Sequence, residues 1–316
     1  MSRILVIYYS QSGEVARATE TFAAELEAGG HELTFAPIAP VTSYPYPWRS
    51  VRRFFDAMPE SVLGLPPEIQ PPQFDPRARF DLAIVAYPVW FLSPAPALQG
   101  FFRTEHAAVL RDTDVLTVTV SRAMWHRASE RMKGLLVTRG ARHTDNVVVT
   151  HQGSALATLI STPRALLFGK RDRLLGIFPE AGTSSGDLER VRRLGAVVAS
   201  RLSTSRTPGR PLLVGEPAVT VTRWLIVPEL LASYCFRAWA GALWRMGTMH
   251  PALRAAGVYG FASFLVLLIL VVLPVTLLVT LLLRPVLAGW LNARAARLAA
   301  PTGEVRFTNH ATESDS

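Results

Sequence analysis

The sequence predicts a doubly wound α/β domain, a five-stranded parallel sheet in the order 2-1-3-4-5, followed by a C-terminal helical segment in a membrane. Three observations carry this. Five short apolar runs alternate with stretches of helical period across the first 200 residues. A loop of hydroxyls and one glycine directly follows the first run. No charged residue stands between Arg254 and Arg284.

The elements follow in order. Residues 3–8 form a short apolar strand suited to the middle of a parallel sheet. Helix one covers residues 13–28, with Val15, Ala18, Phe22 and Leu26 as its buried stripe, and Gly29-Gly30 ends it. Residues 31–37 are strand two. Ten of the 23 prolines then fall between residues 37 and 76, among Tyr44, Tyr46, Trp48, Phe54 and Phe55. Apart from a short helix at 50–57, this insert is too proline-rich for regular structure and is either a lid or a self-packed flap.

Residues 80–87 are strand three, and a proline-aromatic loop at 88–94 leads into a helix through Leu98 and Phe101. Strand four is 114–120. The next helix sets Met124, Ala128, Met132 and Leu135 on one face. Strand five is 146–150 and a less regular stretch follows, with a helix near 156–168. Ser184 and Asp187 then open the domain's last helix, which carries Leu188, Val191, Leu194, Val198 and Leu202. The domain is expected to span 1–203, with a polar linker at 204–223.

Residues 255–290 are the expected membrane segment. As a helix, 255–283 measures roughly 43 Å at about 1.5 Å per residue, enough for a hydrocarbon core of about 30 Å. Trp224, Trp239, Trp244 and Trp290 flank it as interfacial aromatics do. Residues 224–254 read as an amphipathic, interfacial helix, and 291–316 as a polar tail. Arginines stand on both sides, so charge does not orient the segment. Pro274 lies inside it. Two topologies follow: a single span with the tail outside, or a bent hairpin with both flanks cytoplasmic. With no signal-peptide pattern at the N-terminus, the globular part is expected to face the cytoplasm at the inner membrane.

The net charge of +9 comes mostly from scattered arginines. Without a basic run or a nucleic-acid motif, membrane phosphate is the expected partner and nucleic acid is not. Cys235 is the sole cysteine, and the seven histidines show no metal-ligand spacing. No metal is expected, and no catalytic side chain is assigned.

The ligand edge of such a sheet is the set of loops at the strands' carboxyl ends. The first loop is Ser10, Gln11, Ser12, Gly13, Glu14 and Val15. Backbone amides at a helix start, with hydroxyls beside them, make a phosphate cradle. This loop resembles the T/S-x-T-G-x-T phosphate loop of flavodoxin-fold proteins, with Val15 in place of the last hydroxyl and Glu14 bringing a carboxylate. Pro88, Val89, Trp90 and Phe91, continuing through Ser93, Pro94 and Gly100, are similar to the aromatic loop that borders the flavin in flavodoxin-like quinone reductases. Ser121, Arg122 and Trp125 would lie on the ring's other side. The resemblance implies FMN as cofactor, an FMN-dependent NAD(P)H oxidoreductase activity, a lipophilic quinone- or resorcinol-type substrate, and compatibility with a homodimer.

Over about the first 200 residues, Tyr44 to Trp48, Phe54-Phe55-Asp56, Met58 to Val62, Trp90 to Pro94, Met124-Trp125 and Leu175 to Pro179 resemble bacterial flavodoxin-fold proteins labelled dialkylresorcinol condensing enzymes. Condensation needs a nucleophilic cysteine with histidines. Cys235, close to the membrane segment, does not supply that arrangement. The alternative to an oxidoreductase is a flavin-less accessory or binding protein in aryl-lipid pigment biosynthesis.

Overall fold

The structure is a computed structural model that describes residues 1–154, 157–175, 180–204 and 207–300. Five parallel strands form the sheet: β1 (Arg3–Tyr8), β2 (Glu32–Pro37), β3 (Leu82–Trp90), β5 (Asp114–Ser121) and β6 (Arg142–Thr150). Their spatial order is β2-β1-β3-β5-β6, the expected 2-1-3-4-5 arrangement. One strand was not anticipated. The two-residue strand β4 (Ser93–Pro94) folds back antiparallel onto Val89 and Trp90.

Alternation along the strands feeds two cores. Ile4, Val6, Ile84, Leu116 and Val118 face Val15, Phe22 and Leu26 of α1 (Glu14–Ala28) and Val191, Leu194 and Val198 of α7 (Ser185–Thr204). Leu5, Ile7, Ala83 and Val85 face the opposite layer, Leu98 and Phe101 of α4 (Pro96–Phe101) with Ala128, Met132 and Leu136 of α5 (His126–Thr138). The expected cap of α7 is present: Asp187 N–H donates to Ser184 Oγ at 3.0 Å. Helices α1 and α7 touch at Gly195, where an added Cβ would stand 2.6 Å from Phe22 O.

Strand β3 runs three residues further than expected, through Pro88 and Val89 to Trp90. Strand β1 has no partner for β3 beyond Ala86, so the missing Pro88 N–H costs no ladder bond to β1. The turn into β4 is made by Phe91 and Leu92, both left-handed, at φ 49° and 60°. The stretch expected as a linker lies along β6. Val148 N–H donates to Ala218 O at 2.9 Å, and the Asp145 carboxylate accepts from the amides of Leu212 and Leu213.

The insert carries the expected short helix as α2 (Val51–Asp56) and, contrary to the expectation of no further regular structure, a second helix α3 (Met58–Leu63), whose Pro59 sits in the first turn where its missing N–H costs nothing. It is held against α6 (Thr158–Phe168) by Trp48 N–H to Leu166 O and Arg49 N–H to Leu167 O, each 2.9 Å. Beyond it, α8 (Ile226–Met249) and α9 (Pro251–Leu267) form an antiparallel hairpin. They turn at His250 and pack through Phe236, Leu243, Val258 and Phe261. A π-helical turn at Leu268–Val272 joins α9 to α10 (Leu273–Leu282) in one continuous helix, Pro251–Leu282, long and apolar enough to cross a membrane. Pro274 explains the widened turn, since it cannot donate to the carbonyl four residues back.

This helix lies along the globular domain. Near its start, Arg254 Nε donates to Asp56 Oδ1 at 2.6 Å and Nη2 to Glu60 Oε1 at 2.7 Å. Phe261 packs on Phe55, with ring centroids 5.6 Å apart. Helix α11 (Arg284–Ala299) then returns to the domain. Arg294 Nη2 donates to Glu130 Oε1 at 2.5 Å, and Leu298 packs with Trp125 and Val148. The expected polar tail at 291–316 is overturned in its first part: residues 291–299 belong to α11, with Leu291, Ala295 and Leu298 buried, while 301–316 and the Gly176 to Pro179 part of the resemblance lie outside the described residues.

Candidate functional site

The loop after β1 builds the first part of the site. Gly13 sits at φ 86° immediately before α1, and nothing lies within 4 Å of where its Cβ would stand. That open space adjoins the first-turn amides of α1, which have no carbonyl of their own helix to pair with. Ser10 Oγ accepts Ala16 N–H at 3.1 Å, and Gln11 Nε2 donates to Pro45 O at 2.7 Å, tying the loop to the insert. Val15, where the flavodoxin pattern has a hydroxyl, is buried in the core against α7.

Glu14 is drawn aside. Its carboxylate accepts from Thr183 N–H at 2.9 Å, from Thr183 Oγ1 at 3.0 Å and from Arg171 Nη1 at 2.5 Å. Arg171 Nη2 also donates to Ser12 O at 2.5 Å, so the same guanidinium cancels the carboxylate and lines the loop. The cradle thus offers free amides, the Ser12 position, an uncrowded glycine and a neighbouring cation. These residues fit a phosphate.

The second part is a cavity of about 250 Å³ between the sheet's carboxyl edge, the insert, α6 and the membrane-type helix. Val89, Phe91 and Arg122 line it, together with Phe54, Leu265, Ile269, Leu273 and others. Among the described residues its only polar lining residues are Arg122, Thr162 and Thr276. Burial draws the Arg122 guanidinium down to about 10, still cationic at neutral pH.

His151 links the two parts. Its amide donates to Ser121 O at 2.9 Å, and its Nδ1 stands 3.2 Å from Thr162 Oγ1 in the cavity wall. Burial holds its imidazole down to about 4; Glu14 opposes that shift, while Arg122 and Arg171 add to it.

The other expected residues divide. Pro88 is part of β3, and its carbonyl accepts Ala95 N–H at 3.0 Å. Trp90 does not line the cavity. Its ring packs against Tyr44, Trp48 and Tyr9 at centroid distances of 5.0, 5.6 and 6.2 Å. Burial in this cluster raises the Tyr44 hydroxyl to about 12. Ser121 is buried, and its Oγ has no hydrogen-bond partner. Trp125 is a core residue, 1% exposed, rather than a ring-stacking one. Sequence reasoning missed Arg171, His151 and Thr162. Arg171 Nη1 meets Glu14 across 157 positions, and no local pattern announces such a pairing.

No protein-family model matches this chain, and no curated protein matches it. Solved structures do resemble it. A flavoprotein in complex with FMN from Lactobacillus acidophilus is 20% identical over 47% of this chain and 93% of its own, with a TM-score of 0.38. An archaeal flavodoxin is 10% identical over 64% and 99%, with a TM-score of 0.36. A WrbA-like flavodoxin from Agrobacterium tumefaciens is 17% identical over 65% and 100%, with a TM-score of 0.34. The likeness is one of fold. The flavodoxin-like topology rests on the strand order itself.

Proposed function

We propose that this chain is an FMN-binding oxidoreductase seated on a membrane and acting on a lipophilic substrate of quinone or resorcinol type. The observation that carries the proposal is the shared cavity. One apolar space adjoins both the ligand edge of a flavodoxin-like sheet and a helix apolar enough for a bilayer. FMN phosphate would be held by the amides around Gly13, by Ser12 and by Arg171. Bound flavin supplies hydride or electron transfer. The chain's own part is to bind and orient: Phe54, Phe91 and Leu92 keep water from the cavity, while Arg122 provides its one cation.

The membrane contact follows from how the long helix lies. Its inner side faces the domain, while Leu270, Val275 and Leu282 on other sides are 68, 53 and 68% exposed. Arg254 ties its start to the domain, and Arg294 and Leu298 of α11 return to it. This supports a helix lying in the membrane with both flanks on one side, the hairpin alternative rather than the single span. A cysteine placed at Asn309 should label from the cytoplasmic side of sealed cells; labelling from outside overturns that topology.

Full-length protein purified from membranes should be yellow, and denaturation should release FMN. A second reading, a flavin-less accessory protein in aryl-lipid pigment biosynthesis, is favoured by one observation. Ser10 and Gln11 already have partners, and Val15 has joined the core. Colourless protein whose melting temperature FMN does not raise refutes the first reading and supports the second.

A further inference from the structure

Among the described residues the cavity has a single charged group, Arg122, and none of them answers its charge. Among the described residues Arg122 makes no hydrogen bond or ion pair, although it lines a wall that is otherwise apolar apart from the Thr162 and Thr276 hydroxyls. The titratable group it interacts with is His151, whose low pKa leaves the imidazole neutral at pH 7. A half-buried guanidinium in an apolar wall without a counter-charge is disfavoured. An anion delivered by a ligand removes that cost and forms charge-assisted hydrogen bonds.

The rest of the cavity selects a chain. Away from Arg122 it is walled by Leu268, Ile269, Val272 and Leu273, which belong to the π-helical turn and the residue after it. On other sides of the same turn, Leu270 and Val271 are 68 and 48% exposed. The wall between cavity and bilayer is therefore one helix thick, at the point where Pro274 has already loosened the backbone ladder. A volume of about 250 Å³ is just below the roughly 300 Å³ at which drug-sized ligand pockets begin. It holds a head group and the first part of a chain, and the remainder has a short route to lipid.

We propose that the cavity binds a single anionic amphiphile, a carboxylate on an aliphatic chain, with the carboxylate on Arg122 and the chain against Leu268, Val272 and Leu273. This rests on the lipophilic cavity assigned above and gives it an anionic occupant distinct from the redox substrate; it does not require the flavin.

The test uses the full chain in phosphatidylcholine nanodiscs. Fluorescence of bound cis-parinarate is displaced by dodecanoate, dodecan-1-ol or dodecylammonium, with protein-free discs as the blank. Dodecanoate should compete best and dodecylammonium worst. Arg122→Gln should weaken dodecanoate by about 10- to 100-fold while leaving dodecan-1-ol unchanged, the size of one lost hydrogen-bonded charge. Val272→Trp, which fills the chain end, should weaken both. Should Arg122→Gln not fold, Arg122→Lys and the head-group series on the wild type decide the matter. Equal affinity of the wild type for dodecanoate and dodecan-1-ol, or an undiminished dodecanoate affinity in Arg122→Gln, overturns the inference. The visible spectrum of the same samples separates it from the flavin reading. Yellow protein without carboxylate preference sinks this inference alone. Colourless protein with Arg122-dependent carboxylate binding sinks the flavin reading alone.

Discussion

Replacing Glu229 by alanine should be among the most damaging single changes outside the sheet. Glu229 is 1% exposed, near the start of α8. Its Oε1 accepts Arg127 N–H at 2.8 Å, in the first turn of α5, and its Oε2 stands 2.8 Å from His126 Nδ1. Truncation removes a bond from an ionised acceptor to a backbone amide, worth about 1.5–3 kcal/mol. It also removes a negative charge from a helix N-terminus, which adds up to about 2 kcal/mol in a partly buried setting. The two overlap, and the total expected is about 2–4 kcal/mol. Glu229→Gln keeps an acceptor for the Arg127 amide and should cost about 1–2 kcal/mol. Urea unfolding of the full chain in detergent micelles, followed by tryptophan fluorescence, measures both. Since Pro228, Leu231 and Ala232 on the same helix line the cavity, Glu229→Ala should also weaken cis-parinarate binding. A loss below about 1 kcal/mol with unchanged probe binding would refute the reasoning.

Three further expectations can be checked on the same material. Burial holds His151 at about 4 and His143 at about 3, against 6.5 when unfolded. Below pH 6.5 the unfolded chain therefore takes up protons that the native chain refuses, and stability falls with pH by up to about 2.7 kcal/mol per unit down to about pH 4. Urea midpoints across that range should show the slope, and the His143→Gln, His151→Gln double variant should flatten it. Gly195→Ala, whose Cβ would meet Phe22 O at 2.6 Å, should destabilise by about 1–3 kcal/mol. Gly134→Ala, in α5 with nothing within 4 Å of its added Cβ, should instead be neutral or stabilising by up to about 1 kcal/mol; a thermal melt of the pair tests both. Arg171→Gln should weaken FMN binding by about tenfold in a fluorescence-quenching titration, having lost the cation beside Ser12.

The sheet was legible because its strands are buried on both faces and read as continuous apolar runs between helices of clear period. Strand β4 escaped because two residues carry no period. The run along β6 read as a polar linker because what fastens it is Asp145 taking backbone amides, and the receiving amides belong to no residue type in particular. At the site, position was readable and role was not. Trp90, Phe91 and Trp125 are equally aromatic in the sequence, yet only Phe91 lines the cavity. Trp90 packs against the insert, and Trp125 fills the space beneath the end of α11. Glu14 read as a charge set against a phosphate. Its partners, Arg171 and Thr183, stand far along the chain, so the sequence could not show that the charge is cancelled. The insert packs its own aromatics and also supplies Phe54 and Phe55 to the cavity wall.

The stretch fastened along β6 has a consequence for how copies of this protein can meet. An outer strand with unpaired amides is a template onto which another chain can add. Here Ala218 accepts the Val148 amide, and Arg190 Nη2 donates to Val148 O at 2.7 Å, so at that level both backbone groups are taken. The opposite edge, β2, is short and ends at Pro37. Such a sheet offers one poor edge for strand addition. Extension of the sheet by a second copy of this chain is thereby disfavoured at both edges.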